Sequence, residues 1–383
     1  MGRANVTALA GLAALAAAMG VGRFAFTPIL PMMQGDAGIG VVEAGWLASA
    51  NYLGYLLGAL SAVALPLSAG AAVRIGLVAV GAATLAMGQT AHMGAWLALR
   101  LLAGVASAWV LVFASAWCLE RFQSEATPES RARLGATLFA GVGTGIAIAG
   151  ALCLLLILRG SPSSLAWTLL GLLALAPALT LPRDFGAPSR ASTTGPAASR
   201  WPPDSARLIF CYGAFGFGYI IPATFLSTMA RDLVRDPALY GWSWPIFGIA
   251  AAASTFAAMP LRRHLSDRRL WLAGHVVMAA GVVMPLVVGG WVGIVASALL
   301  VGGTFMVVTM VGMQEARRVA GADARRLMAA MTSAFAAGQI AGPLAVSALA
   351  SAGGGYDAAL VVSGALLVAA ALALVPKTRE KES

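Results

Sequence analysis

Two arginines stand where a charge is expensive. Arg23 lies in GVGRFAFTPILPMM, which begins at Gly20 inside an apolar stretch from Val6 to Met33. Arg100 lies inside a second apolar stretch, from Trp96 to Leu119. A guanidinium keeps its charge, and at membrane depth that costs about 2.5–3.5 kcal/mol even on the lenient insertion scale. Each arginine therefore needs a water-filled cavity, a counter-ion or a bound anion. The planar fork of the side chain suits a carboxylate, which it can grip at two points. The structural alternative is that Arg23 snorkels to the headgroups and that Arg100 pins its helix to a neighbour's carbonyls.

The elements that position these residues are membrane spans. Hydrophobic residues make up 60% of the 383 positions and charged residues 10%, with a mean hydropathy of +0.84. A soluble domain has about 45–50% apolar and about 25% charged residues. Apolar runs of about 20 residues, long enough to cross a bilayer, occur at 6–33, 44–66, 72–91, 94–119, 133–158, 164–181, 207–230, 239–260, 270–289, 291–314, 327–350 and 357–375. The pattern predicts an all-α integral membrane protein with twelve transmembrane helices.

The net charge of +10 follows the positive-inside rule. With the N-terminus inside, only Arg159, Arg231 and Arg235 fall outside. Arg23 and Arg100 are in the membrane, and the other twenty of the 25 Lys and Arg are cytoplasmic. Both termini are then cytoplasmic, the partner of the basic loops is the lipid bilayer, and no nucleic-acid partner is implied. Arg3 and the Ala/Leu run after it resemble a signal peptide. Cleavage, however, would leave eleven spans and unmatched halves. Cys118, Cys153 and Cys211 all fall in spans without CxxC spacing and read as buried thiols.

The chain repeats itself. Gly20 and Gly22 recur as Gly216 and Gly218, Gly45-Trp46 as Gly241-Trp242, Pro66 as Pro260, Glu120 as Glu315 and Arg133 as Arg326, all at offsets of 193–196. The duplication predicts a six-helix bundle over 1–181, a Pro/Ser/Gly-rich cytoplasmic linker over 182–205 and a second bundle over 206–383.

Twelve spans as six plus six, interior termini and a central loop resemble the major facilitator superfamily. RLLAGVASA from Arg100 is similar to its fourth-helix pattern. GVGTGIAIAG from Gly141 and AAGQIAGP from Ala336 are similar to its Gly-rich fifth-helix pattern. LSDRR from Leu265 is similar to its acidic-basic loop, whereas the first-half copy, LPLSAGAAVRIG, lacks the Asp and most basic residues. More narrowly, GVGRFAFTPILPMM with AGWLASANYLGYLLGAL from Ala44 resembles the YbfB/YjiJ branch of bacterial carriers. The resemblance implies a monomeric transporter of the bacterial inner membrane for a small-molecule substrate, with protons an optional coupling ion. It also implies that spans 1, 4, 7 and 10 line a central cavity.

On that frame, Arg23 and Arg100 each lie about 10 Å below the outer surface, at 1.5 Å per residue, and would repel unless something negative or wet lay between them. The expected substrate-binding residues are Arg23 and Thr27 on span 1, Asn51 and Tyr55 on span 2, Arg100 and Ser107 on span 4. Spans 7 and 10 add Tyr212, Phe215, Tyr219 and Met310. A cationic wall opposite an aromatic one suits an organic anion with an apolar body. None of the fifteen acids falls mid-membrane, so coupling would run through Glu43, through His275 or through the substrate itself.

At the inner ends, Glu120, Arg121, Arg131 and Arg133 in one half, with Asp267, Arg268, Glu315, Arg317, Arg318 and Arg326 in the other, are the expected cytoplasmic gate. The alternative there is charge decoration with incidental pairs worth about 0–1 kcal/mol. Two rival functions are efflux of neutral or amphipathic compounds, and Cu(I) import past Met306, Met310 and Met313, whose thioethers suit that ion. A carrier-like sensor is disfavoured because no extramembrane segment is long enough to signal. No catalytic constellation, metal centre or cofactor motif is present, so no enzyme is expected.

Overall fold

Long apolar stretches must pair every backbone N–H and C=O internally when they sit in lipid, and they do so here as helices. The computed structural model describes residues 2–62, 65–123, 127–182, 185–186, 204–321, 324–353 and 355–375. Span 1 is α1 (Arg3–Leu15) and α2 (Phe26–Asp36). Spans 2 to 6 are α3 (Val41–Ala62), α4 (Ala69–Met87), α5 (Met93–Phe122), α6 (Pro128–Leu158) and α7 (Ser163–Thr180). Span 7 is α8 (Ser205–Leu233), and span 8 is the short α9 (Pro237–Tyr240) with α10 (Ser243–Leu261). Spans 9 to 12 are α11 (Asp267–Val287), α12 (Gly290–Ala320), α13 (Ala324–Ser351) and α14 (Gly355–Leu374). Eleven of the twelve are apolar enough to cross a membrane by composition. The twelfth, α3, is a 22-residue helix whose Gly, Ser, Asn and Tyr dilute its hydropathy.

Packing repeats with the sequence. In the first half α1 lies on α6, α3 on α5, and α4 on both α5 and α7. In the second, α8 lies on α13, α10 on α12, and α11 on both α12 and α14. Helix starts are fixed by side-chain caps of the usual kind: Ser68 before α4, Thr127 before α6 and Ser266 before α11. The first residues of the expected linker are docked rather than free. Arg74 donates to Pro182 O at 2.8 Å, and Phe185 is buried against the Trp117 ring, 4.4 Å between centroids. Residues 183–184 and 187–203 of the linker lie outside the described residues.

Small residues let the halves approach each other, as expected where packing rather than a hydrophobic drive joins helices. Along α6 and α10, a Cβ on Gly143 would fall 2.3 Å from Ala252 N, and one on Gly248 2.3 Å from Ala147 N. Along α3 and α13, Ser49 Oγ donates to Ile340 O at 3.0 Å and Ser347 Oγ to Val42 O at 3.2 Å.

Span 1 is broken at its centre. A π-turn runs over Ala16–Val21, and residues 22–25 form a turn before α2 resumes. Gly20 packs so closely on Gly145 that a Cβ would sit 2.4 Å from its Cα. Pro28 has no N–H to give to Phe24 O; Thr27 N takes that carbonyl instead, at 3.3 Å. Arg23 lies in the turn between these constraints.

Candidate functional site

The break leaves main-chain carbonyls without helical partners, and Arg100 supplies them. Its guanidinium donates to Gly22 O at 3.3 Å, Arg23 O at 3.2 Å and Leu47 O at 3.5 Å, and it lies over the Phe26 ring at 4.9 Å. Asn51 Nδ2 donates to Arg100 O at 2.9 Å, tying α3 to the same knot. The expected pair of cavity cations therefore resolves into one cavity cation and one brace. The expected repulsion is met by carbonyl dipoles, the pinning role that sequence left as the alternative.

Arg23 points the other way, into a cavity of about 300 Å³ between the halves. Its Nη2 donates to Gln339 Oε1 on α13, and Gln339 Nε2 donates to Tyr219 OH on α8. The guanidinium carbon lies 3.8 Å from the centre of the Tyr55 ring and 5.1 Å from that of Tyr52. Its Nε has no hydrogen-bond partner, and no carboxylate pairs with it among the described residues. It is only 2% exposed. A positive charge is thus held by π-faces and one neutral amide.

The opposite wall is aromatic. The Tyr219 ring is stacked between Phe305 and Phe335, with centroids 5.6 and 5.7 Å away, and Tyr212 lies against Phe335 at 5.3 Å. Ser115, with an unpartnered Oγ, Thr309 and Thr332 add hydroxyls. Towards the end carrying most of the arginines, here the basic end, Phe139, Met306, Thr309 and Met313 lead into a vestibule of about 420 Å³. Arg131, Arg262, Met310 and Arg317 line it. At the far end the halves are joined. Thr27 Oγ1 donates to Ala223 O at 2.5 Å, Tyr52 OH lies 2.9 Å from Thr224 Oγ1, and Arg231 donates to Pro31 O at 3.1 Å. The cavity is closed at the far end and continues towards the basic end.

Of the ten expected binding residues, Arg23, Tyr55, Tyr212 and Tyr219 line the central cavity and Met310 the vestibule. The other five do not. Thr27 is spent on the far seam, and Asn51 and Arg100 on the broken helix. Ser107 donates to Gly104 O at 2.8 Å, and Phe215 is buried behind Tyr212 and Tyr219. Gln339 was missed by sequence reasoning. Its only signal was an amide in the otherwise apolar and small-residue segment AAGQIAGP.

The expected gate residues also sort differently. Glu315, fully buried, accepts from Arg318 Nε at 2.8 Å and Nη2 at 2.7 Å, and lies 3.7 Å from Arg268 Nη1. Arg268 also meets Asp204 at 2.8 Å and Leu374 O at 3.1 Å. Apart from Asp204, at the end of the linker just before α8, these groups belong to the second half, and the cluster ties α11, α12 and α14 to the start of α8. Asp267 pairs with Arg262 at 3.1 Å. Arg121 lies over Trp117 at 4.7 Å. Arg133 and Arg326 are exposed. Of the coupling candidates, Glu43 accepts from Gly40 N at 3.0 Å at the start of α3. The His275 nitrogens lie 3.2 Å from Trp271 O and Cys211 O, away from both cavities.

Two similarly packed six-span halves around a central cavity closed at one end define a membrane carrier of the major facilitator type. Residues 15–375 match the family described as uncharacterised MFS-type transporter YbfB, and the chain belongs to that family. No curated protein matches it. Among solved structures it is similar to a mutant of the nucleoside transporter NupG, with TM-score 0.73 and 16% identity over 96% of this chain and 98% of that one. It is also similar to the human organic anion transporter MFSD10 (TETRAN), with TM-score 0.65 and 15% identity over 98% and 100%. At these identities the likeness is one of fold. The family and fold are those of secondary transporters, embedded in a bilayer and acting on small molecules, rather than of catalysts.

Proposed function

We propose that this transporter carries an organic anion with an apolar or aromatic body across the bacterial inner membrane by alternating access. The observation that carries the reading is Arg23, a buried permanent charge at a cavity wall with no carboxylate partner among the described residues. A substrate carboxylate would supply the missing countercharge and a better acceptor than the Gln339 amide. The aromatic wall of Tyr212, Tyr219, Phe305 and Phe335 would take its body.

The segments 1–181 and 206–383 move as two bundles tethered by 182–205, with the basic end cytoplasmic by the positive-inside rule. Among the described residues, no carboxylate lines either cavity, which favours exchange or uniport over coupling through a cavity acid. The mostly aromatic lining supports, as a second reading, a neutral amphipathic substrate. Copper import is disfavoured, because the cavities bordered by Met306, Met310 and Met313 also hold Arg23, Arg131 and Arg317.

A thermal-shift screen of the detergent-purified protein separates these readings, since a bound ligand stabilises by mass action. Aromatic and aliphatic carboxylic acids should raise the melting temperature. Stabilisation only by neutral compounds or by Cu(I) would overturn the anion reading.

A further inference from the structure

The vestibule carries cations that the central cavity does not use. Arg131 at the start of α6, Arg262 just after α10 and Arg317 on the last turn of α12 line one space. Arg131 comes from the first half, and Arg262 and Arg317 from the second. Asp267 offsets Arg262 at 3.1 Å, whereas Arg131 and Arg317 have no carboxylate partner among the described residues. The nearest acid in sequence to Arg317, Glu315, is fully buried and occupied by Arg318 and Arg268.

Basic residues that merely satisfy the positive-inside rule face lipid headgroups. These line a recess between the halves, where low-dielectric walls focus their field on whatever enters. Deeper in, Met259, Met310, Met313 and Met328 make an adaptable thioether wall. Two guanidinium groups without a carboxylate partner among the described residues, above an apolar floor, match a carboxylate on an apolar body.

We propose that this vestibule is a second binding site, for an organic carboxylate with an apolar body, separate from the site at Arg23. The chemistry of its ligand rests on the organic-anion reading above; its residues do not. An anion held there waits between solvent and the central cavity that Arg23 lines.

The test uses a thiol placed in the vestibule. Ala132 lines it and is exposed, and the native Cys118, Cys153 and Cys211 are buried. In Ala132→Cys protein, labelling by an anionic and by a cationic methanethiosulfonate is timed, each normalised to its rate with 2-mercaptoethanol. The anionic reagent should be favoured by about tenfold, and the preference should vanish in the Arg131→Gln/Arg317→Gln double variant. Benzene-1,3-dicarboxylate, the probe ligand, should slow labelling at least about threefold, as expected near two-thirds occupancy. This protection should persist with Arg23→Ala and disappear in the double variant.

A normalised preference near one would overturn the proposal. So would a preference without protection, which would be a field with no site. Protection that survives the double variant but fails with Arg23→Ala would assign the ligand to the central cavity alone. Loss of Arg23-dependent stabilisation with intact vestibule protection would instead overturn the central reading and leave this one standing.

Discussion

Arg100 Nη2 donates to the main-chain carbonyl of Arg23 at 3.2 Å, so one buried arginine holds the backbone of the other. The broken span presents Arg23 to the cavity only because Gly22 O and Arg23 O are satisfied from α5. Replacing Arg100 by Met keeps the length and removes every donor. Each carbonyl left dry costs about 1–3 kcal/mol. Arg100→Met should melt several degrees below the wild type, with Arg100→Lys in between. A wild-type melting temperature for Arg100→Met would show that the brace is dispensable.

Gln339 is the innermost tie of the far seam and, among the described residues, the only hydrogen-bond acceptor for the Arg23 guanidinium. A hydrogen bond to a charged group contributes about 1.5–3 kcal/mol, enough to shift a two-state carrier about tenfold or more. Thr224, 1% exposed in the seam, is a reporter for opening at that end. A Thr224→Cys thiol should label about tenfold faster when Gln339→Leu is added. Equal rates in both backgrounds would mean that this tie does not hold the seam.

Apart from Asp204 at the end of the linker, the Glu315 cluster lies within the second half, so its loss tests stability apart from gating. Glu315→Gln weakens the charge-assisted hydrogen bonds from Arg318, worth about 1.5 kcal/mol because Arg318 is largely exposed, while Arg268 keeps Asp204. This substitution should therefore lower the melting temperature while leaving Thr224→Cys labelling unchanged. Altered labelling with an unchanged melting temperature would restore Glu315 to the gating role expected from sequence.

Twelve spans and a duplication were legible because lipid forces helices and because the landmarks Gly20/Gly216 and Gly45/Gly241 keep their spacing. Thr27 and Ala223 are such mates, and they meet across the seam at 2.5 Å. Arg23 was legible as an expensive charge. Arg100 carried the same signal but a different role, since its partners are carbonyls on other spans, which leave no trace in side-chain identity. The same blindness hid Gln339, whose importance comes from α13 lying against α3 and α8. The break in span 1 had a local cause in Gly20, Gly22 and Pro28, yet periodicity passes over a four-residue turn. Phe185 looked like tether because one aromatic among Pro, Ser and Gly does not announce its socket beneath Trp117.

The most direct measurement is uptake into proteoliposomes of whichever carboxylic acid stabilises the purified protein most, compared for wild type, Arg23→Lys and Arg23→Ala. The lysine keeps the charge but loses the planar two-point grip, worth about 1.5–3 kcal/mol, so its uptake should fall about tenfold or more. The alanine variant should insert normally and transport no faster than protein-free vesicles. Near-normal uptake by Arg23→Ala would contradict a substrate role for Arg23 and, with it, the organic-anion account.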